Sequence, residues 1–120
     1  MAYLTHSLII LIALLHLYFL ILEMFLWEKP IGLRTFGMKP EFAHTTKTLA
    51  ANQGLYNGFL SAGLIWGVCL GNNGTPIKLF FLACVALAGI YGGITVNRRI
   101  LFIQGMPAIV AILLLSTSLM

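Results

Sequence analysis

The chain has 120 residues, of which 60% are hydrophobic and 8% are charged, and its formal net charge is +4. Soluble globular domains contain about 45–50% apolar and about 25% charged residues. Seven basic and three acidic side chains cannot cover the surface of a soluble protein of this length. The composition therefore excludes an ordinary soluble domain and predicts a single membrane domain over residues 1–120, with the lipid bilayer as its main partner.

The charge pattern and the cysteines argue against several classes of function. The basic residues are spread over short connections and form no basic face that could follow a phosphate backbone, so we expect no nucleic-acid binding. Cys69 and Cys84 lie inside apolar runs without the spacing of a metal or redox motif. The sequence also contains no phosphate-binding loop and no nucleophile triad. We therefore expect neither a metal nor a cofactor.

Four apolar segments are each long enough to cross a membrane as a helix. A hydrocarbon core about 30 Å thick needs about 20 apolar residues in helical form, and all backbone polar groups must be satisfied inside it. The predicted spans cover residues 8–27, 49–70, 77–96 and 100–119. The sequence therefore predicts an all-α fold, an integral membrane bundle of four transmembrane helices.

The connections between these spans carry nearly all of the basic side chains. Four basic residues lie in the first connection and two in the third, namely Lys29, Arg34, Lys39, Lys47, Arg98 and Arg99. Lys78 lies just inside the third span, from where its side chain can extend to the membrane surface. Because basic connections stay in the cytoplasm, we predict a multi-pass protein of the cell membrane with both termini outside.

Polar side chains of the spans gather towards the cytoplasmic ends. Glu23 lies four residues before Trp27, about 6 Å inside the boundary at about 1.5 Å per residue, and His16 lies two turns deeper on the same face. The second span starts from the same side, so we expect Glu23 to face the bundle interior near Asn52 or Gln53. Ionisable residues within spans are costly and are candidates for function. The predicted ligand-binding residues are His16, Glu23, Asn52, Gln53, Tyr56, Asn57 and Tyr91.

Small residues recur every fourth position in the second span and at the residue that follows it. They are Ala50, Gly54, Gly58 and Ala62, followed by Gly63, Gly67 and Gly71. We place the first of these strips on the side of the helix opposite the polar residues. Such strips let helix backbones approach closely, and they suit packing within the chain as well as contact in a homodimer.

Several segments of the sequence resemble those of a known family. They are residues 16–18, 22–25, 36–43, 49–60 and 91–95, with Trp27 and Pro30, and the most specific is LAANQGLYNGFL at 49–60. Over nearly the whole chain they are similar to the bacterial membrane family known as domain of unknown function 1304. The resemblance implies a small membrane protein of four spans, and it implies no activity.

The polar residues favour a pocket in the cytoplasmic half that binds a small hydrophobic or amphiphilic ligand. Three other functions stay open. Glu23 could serve a proton-coupled transporter, because small multidrug exporters share the size, the four spans and a lone carboxylate in the first helix. Glu23 and His16 could form the acid–base pair of an isomerase-like membrane enzyme. A structural or accessory role is the third, and the sequence leaves open whether the chain is an enzyme.

Overall fold

The computed structural model describes residues 2–119, and these residues form helices joined by short turns. The α-helices are α1 (Ala2–Met24), α2 (Pro30–Phe36), α3 (Pro40–Cys69), α4 (Thr75–Thr95), α5 (Arg98–Ile100) and α6 (Met106–Thr117). A 3-10 helix, Gly71–Gly74, precedes α4, and a π-helical turn, Leu101–Gly105, joins α5 to α6. Residues 2–119 contain no β-strand, which confirms the predicted all-α class.

Three helical segments are long and apolar enough to cross a membrane. They are Ala2–Met24, Gly71–Thr95 and Arg98–Thr117, which correspond to the first, third and fourth predicted spans. Helix α3 contains the second predicted span, but residues 44–57 bring several hydroxyl, amide and charged side chains into it. The chain is therefore compatible with membrane insertion through three strongly apolar helical segments and has a fourth long helix of more polar composition.

The first connection is more ordered than the sequence suggests. The predicted first span reached Trp27, but α1 ends at Met24 and the chain turns before Pro30 starts α2. Gly32 lies against this turn so closely that a Cβ atom there would be 2.7 Å from the carbonyl oxygen of Trp27. Helix α3 begins at Pro40, nine residues before the predicted second span. Proline suits both starts because the first helical residue needs no N–H partner.

The chain divides into two compact units, which we describe separately. The first contains residues 2–13 and 60–119, and the second contains residues 14–59, so α1 and α3 contribute a segment to each. In the first unit, Gly89 and Gly105 bring α4 and the π-helical turn into backbone contact. The buried apolar core of this unit consists of Ile9, Ile12, Ala13, Leu64, Leu82, Val85, Ala86, Ala108, Ala111 and Leu115.

Large apolar side chains also cover much of the outer surface. In the candidate spans the exposed ones include Leu11, Leu14, Phe80, Leu87 and Leu113. Soluble monomers rarely expose continuous apolar surface on this scale, because it drives association in water. A lipid environment removes that penalty, so the exposed side chains fit the membrane assignment.

In the second unit, glycines of α3 pack directly on α1. A Cβ atom at Gly54 would lie 2.8 Å from Met24 Cγ and 3.0 Å from Glu23 Cβ, and one at Gly58 would lie 2.6 Å from Leu20 Cδ1. Ala62, the next member of the predicted strip, is exposed. A spacing of four residues drifts around a helix of 3.6 residues per turn, so the strip leaves the contact.

Replacing these glycines with leucine should destabilise the protein. We expect Gly54→Leu and Gly58→Leu each to lower the free energy of unfolding by about 1–3 kcal/mol, because the new side chain must displace α1 at position 54 and the Leu20 side chain at position 58. Ala62→Leu is the matched control, since the same residue type is added on an exposed face of the same helix. Thermal melting in a mild detergent measures the difference. Equal melting temperatures for Gly54→Leu and Ala62→Leu would show that the packing of α1 on α3 is wrong.

Candidate functional site

The buried carboxylate of Glu23 is the centre of the candidate site. Glu23 lies in the last turns of α1 and is only 3% exposed. Its Oε2 accepts a hydrogen bond from Gln53 Nε2 and its Oε1 accepts one from Asn57 Nδ2, each at 2.6 Å. The expected contact between Glu23 and Gln53 is therefore confirmed. Both carboxylate oxygens are satisfied by neutral amide donors from one neighbouring helix.

Helical geometry explains why Asn57 joins this contact and Asn52 does not. The buried positions of α3 include Ala50, Gly54, Asn57 and Ser61, which follow alternating steps of four and three residues. This spacing keeps a stripe on one side of a helix, whereas steps of four alone rotate away from it. Asn57 and Gly54 therefore share the face towards α1, contrary to the expectation that small and polar residues lie on opposite sides. Asn52 falls outside the stripe and is exposed.

His16 and Tyr56 belong to the same unit as Glu23 but have other neighbours. His16 is fully buried and its ring meets Phe19 edge to face, with 5.6 Å between the centroids. It lies two turns from Glu23, a rise of about 10 Å along α1, so the two side chains are too far apart for direct proton transfer. Tyr56 is exposed beside Phe59, and Tyr91 belongs to the other unit, where it is 72% exposed.

A cavity opens beside Glu23 in the same unit. Its volume is about 590 Å³. The lining residues are Glu23, Met24, Phe25, Trp27, Glu28, Lys29, Lys47, Thr48 and Ala51. Of the predicted ligand-binding residues, Glu23 is the one found among them. The cavity is therefore formed by the end of α1, the turn that follows and the first half of α3, rather than by the residues around His16.

Polar contacts hold the walls of this cavity. Trp27 Nε1 donates to Thr46 Oγ1 at 3.1 Å, and the Trp27 ring packs on Phe36 with 4.9 Å between the centroids. Glu28 lies 3.0 Å from His44 Nδ1 and 4.0 Å from Lys47 Nζ. These contacts are exposed and contribute at most about 1 kcal/mol each. The sequence places Trp27 and Lys47 at a span end and in a loop, and their charge and aromatic character alone did not mark them as cavity residues.

Within residues 2–119, no group of three or more His, Cys, Asp or Glu side chains is arranged to hold a metal ion. Gln53 and Asn57 each donate to one oxygen of Glu23, and an ionised carboxylate has about four acceptor positions, so further donors can still bind. The site as built offers a carboxylate, two amides and an aromatic wall, which suits recognition of a polar group on a ligand.

Removing one amide should test whether Glu23 is ionised. We expect Asn57→Ala to lower the free energy of unfolding by about 1.5–3 kcal/mol, the range for a bond to a charged group. A neutral hydrogen bond between membrane helices is worth about 0.6 kcal/mol. Asn52→Ala is the control, because it removes an exposed amide five residues away on the same helix. Unfolding in mixed micelles measures both losses, and equal losses would contradict the assigned contact.

Comparison with known proteins places the chain in a family without assigning an activity. It is 35% identical over 115 residues to the uncharacterized protein YpaA of Lactococcus lactis subsp. lactis (strain IL1403), covering 94% of this chain and 97% of that protein. No solved structure matches the chain. The family described as "Protein of unknown function (DUF1304)" matches residues 10–116. With the match extending over most of its length, the chain belongs to the DUF1304 family.

Proposed function

We propose that this protein is a four-span membrane protein that binds a small amphiphilic ligand, and that Glu23 recognises a cationic group on it. The observation that carries the proposal is the buried Glu23 carboxylate, fixed by two amides beside an open cavity. A carboxylate inside a membrane helix costs about 2.5–3.5 kcal/mol near mid-span and less towards the interface. Interhelical packing does not require a charged side chain, whereas binding of a cationic ligand does, so ligand binding accounts for the Glu23 carboxylate.

The proposal takes α3 as the fourth span. In the second unit Gly54 and Gly58 of α3 pack against α1, and in the first unit Ser61 Oγ donates to the Ala13 carbonyl oxygen of α1 at 2.8 Å. Each unit thus pairs a segment of α3 with a segment of a candidate span. Asn57 and Ser61, which reduce the apolarity of α3, are buried with their polar atoms hydrogen-bonded. Polar residues satisfied in this way do not prevent a helix from crossing lipid.

The orientation follows from the basic residues. The first and third connections hold six of the seven basic side chains, so we place both of them in the cytoplasm and both termini outside. The cavity beside Glu23 includes Lys29 and Lys47 of the first connection. In this orientation the cavity opens to the cytoplasmic side.

The lining of the cavity favours a cation with an apolar body. Glu23 is buried, whereas Lys29 and Lys47 are exposed, and Lys47 lies beside Glu28. Phe25 and Trp27 add aromatic surface, which attracts cations through the ring face. A ligand of this kind would place its positive charge at the Glu23 carboxylate and its apolar part against the aromatic rings of Phe25 and Trp27.

Proton-coupled exchange is the second candidate. Glu23 is the one acidic residue within the three apolar candidate spans of residues 2–119. A lone membrane carboxylate that binds a cation can release a proton in return. Proton-coupled exchange predicts one additional observation, namely that ligand binding acidifies an unbuffered solution of the protein.

Site-directed labelling should test the topology. In a background without Cys69 and Cys84, we expect Thr35→Cys to react with a membrane-impermeant maleimide from the cytoplasmic side and Asn73→Cys from the outside. Both positions are exposed, and neither change removes a basic residue that sets orientation. Labelling of both positions from the same side would contradict α3 as a span.

Ligand binding should depend on the charge of Glu23. Trp27 becomes the sole tryptophan in a Trp66→Phe background, so quenching of its fluorescence reports on the cavity. We expect saturable quenching by tetraphenylphosphonium, and none by tetraphenylborate, an anion of the same shape. Glu23→Gln should weaken phosphonium binding at least tenfold, about 1.4 kcal/mol.

Glu41→Gln is the matched control, because it removes an exposed carboxylate of α3 that does not line the cavity. Equal phosphonium affinity in Glu23→Gln and Glu41→Gln would refute the proposed role of Glu23. Proton release on phosphonium binding would move the function from simple binding to proton-coupled exchange.

A further inference from the structure

Lys78 is a buried cation in the first unit. It lies in the first turn of α4 and is 1% exposed. Its Nζ donates to the Gly71 carbonyl oxygen at 2.9 Å and lies 3.1 Å from His6 Nε2. An ammonium group has donors alone, so the His6 nitrogen is the acceptor. The lysine therefore has two neutral acceptors within the unit.

Glycines of the first unit make room for this lysine. A Cβ atom at Gly67 would lie 2.6 Å from Lys78 Cγ and 3.1 Å from its backbone nitrogen, so a side chain there would displace the lysine stem. Gly71 has a φ of 62°, a left-handed conformation that favours glycine, and its carbonyl group accepts from Nζ. The sequence pattern of Gly67 and Gly71 reads as a packing strip, whereas in the structure these two residues surround Lys78.

Within its own unit, Lys78 has no acidic side chain to pair with among the described residues. All three acidic residues of the sequence, Glu23, Glu28 and Glu41, belong to the other unit. Burying an ammonium group without a counter-ion is costly, even when neutral acceptors satisfy some of its donors. Within residues 2–119, the Gly71 carbonyl oxygen and His6 Nε2 accept from Nζ, which are two acceptors for a group with three N–H donors.

A second cavity lies at this position. Its volume is about 200 Å³. It is lined by Ala2, Thr5, His6, Asn72, Thr75, Lys78, Leu115, Ser118 and Leu119. Helices α1 and α4 both begin beside it, and a helix start carries a partial positive charge. Helix α6 ends there, but Ser118 Oγ donates to the Leu115 carbonyl oxygen at 2.9 Å and so offsets its exposed negative end.

We propose that this cavity binds an oxyanion, a phosphate group, with Lys78 as its charge partner. At about 30 Å³ for one water in the liquid, the volume holds a phosphate group and a few waters, and it is too small for a whole amphiphile. The hydroxyl groups of Thr75 and Ser118 and the Asn72 amide line the cavity and can donate to phosphate oxygens. The residues that line this cavity all belong to the first unit, whereas those that line the Glu23 cavity all belong to the second.

The phosphate group can come from a lipid or from solution. The headgroup of an anionic lipid would enter from the membrane, and inorganic phosphate would enter from the water. Native mass spectrometry of the protein in a neutral maltoside detergent tests the first source, with phosphatidylglycerol compared against phosphatidylcholine. Thermal melting in phosphate and in chloride at equal ionic strength tests the second, because a ligand that binds the folded state raises the melting temperature.

Asn72→Asp is the decisive variant, and Asn73→Asp is its matched control. Both add one carboxylate to the same turn, but Asn72 lines the cavity and Asn73 is exposed and does not. We expect the new carboxylate at position 72 to act as a built-in counter-ion. Asn72→Asp should melt higher than the parent without added anion and should bind the anion at least tenfold more weakly. Asn73→Asp should bind it like the parent.

Lys78→Met gives a second test that keeps the side-chain length. We expect it to lose anion binding at least tenfold, while Lys39→Met, which removes an exposed lysine, keeps parental affinity. If the parent binds neither phosphatidylglycerol nor phosphate, the proposal is wrong. Parental affinity in Asn72→Asp would also overturn it, and that measurement remains available should Lys78→Met fail to fold.

Discussion

The constraint on which this structure depends is that an ionisable group on a helix apolar enough to cross a membrane must find its partners inside the protein. Lipid offers no hydrogen bonds, so each such group requires polar atoms from neighbouring helices. Glu23 obtains two amide donors from α3, and Lys78 obtains a carbonyl oxygen and an imidazole nitrogen. In both cases the neutral partners satisfy hydrogen bonds and leave the net charge in place. That remaining charge is what makes each cavity a candidate for binding a ligand of opposite sign.

The all-α class and the position of most helices could be predicted from the sequence, because hydropathy over about 20 residues is a strong signal. The contact of Glu23 with Gln53 was predictable as well, since both depths could be counted from the same boundary. The helix ends were harder to predict from the sequence. Helix α1 stops at Met24, and Gly32 then packs against the Trp27 carbonyl group in the turn that follows, a contact that leaves no mark in composition.

The angular position of each residue around α3 determines which polar side chains contact Glu23. Residues 52, 53, 56 and 57 span half of the helix, and the sequence alone gave no reason to choose one edge of that half. The structure buries the edge with Asn57 and exposes the edge with Asn52 and Tyr56. The cavity residues Trp27 and Lys47 were missed for a related reason. They come together through the turn after α1, which brings the start of α3 beside the end of α1.

Helix α3 connects these observations, because it provides a glycine beside each buried charge. Gly54 lies against Glu23 Cβ and Gly67 against Lys78 Cγ, each in its own unit. A larger residue would hold the helices apart and leave a charged side chain without its partners. The same helix adds Gln53 and Asn57, whose amide groups would cost free energy if they faced lipid without hydrogen-bond partners. Glycine and amide residues both reduce the apolarity of α3, which is why it stands apart from the three apolar segments. The composition that makes α3 the least apolar of the long helices is therefore the one required to accommodate the two charges.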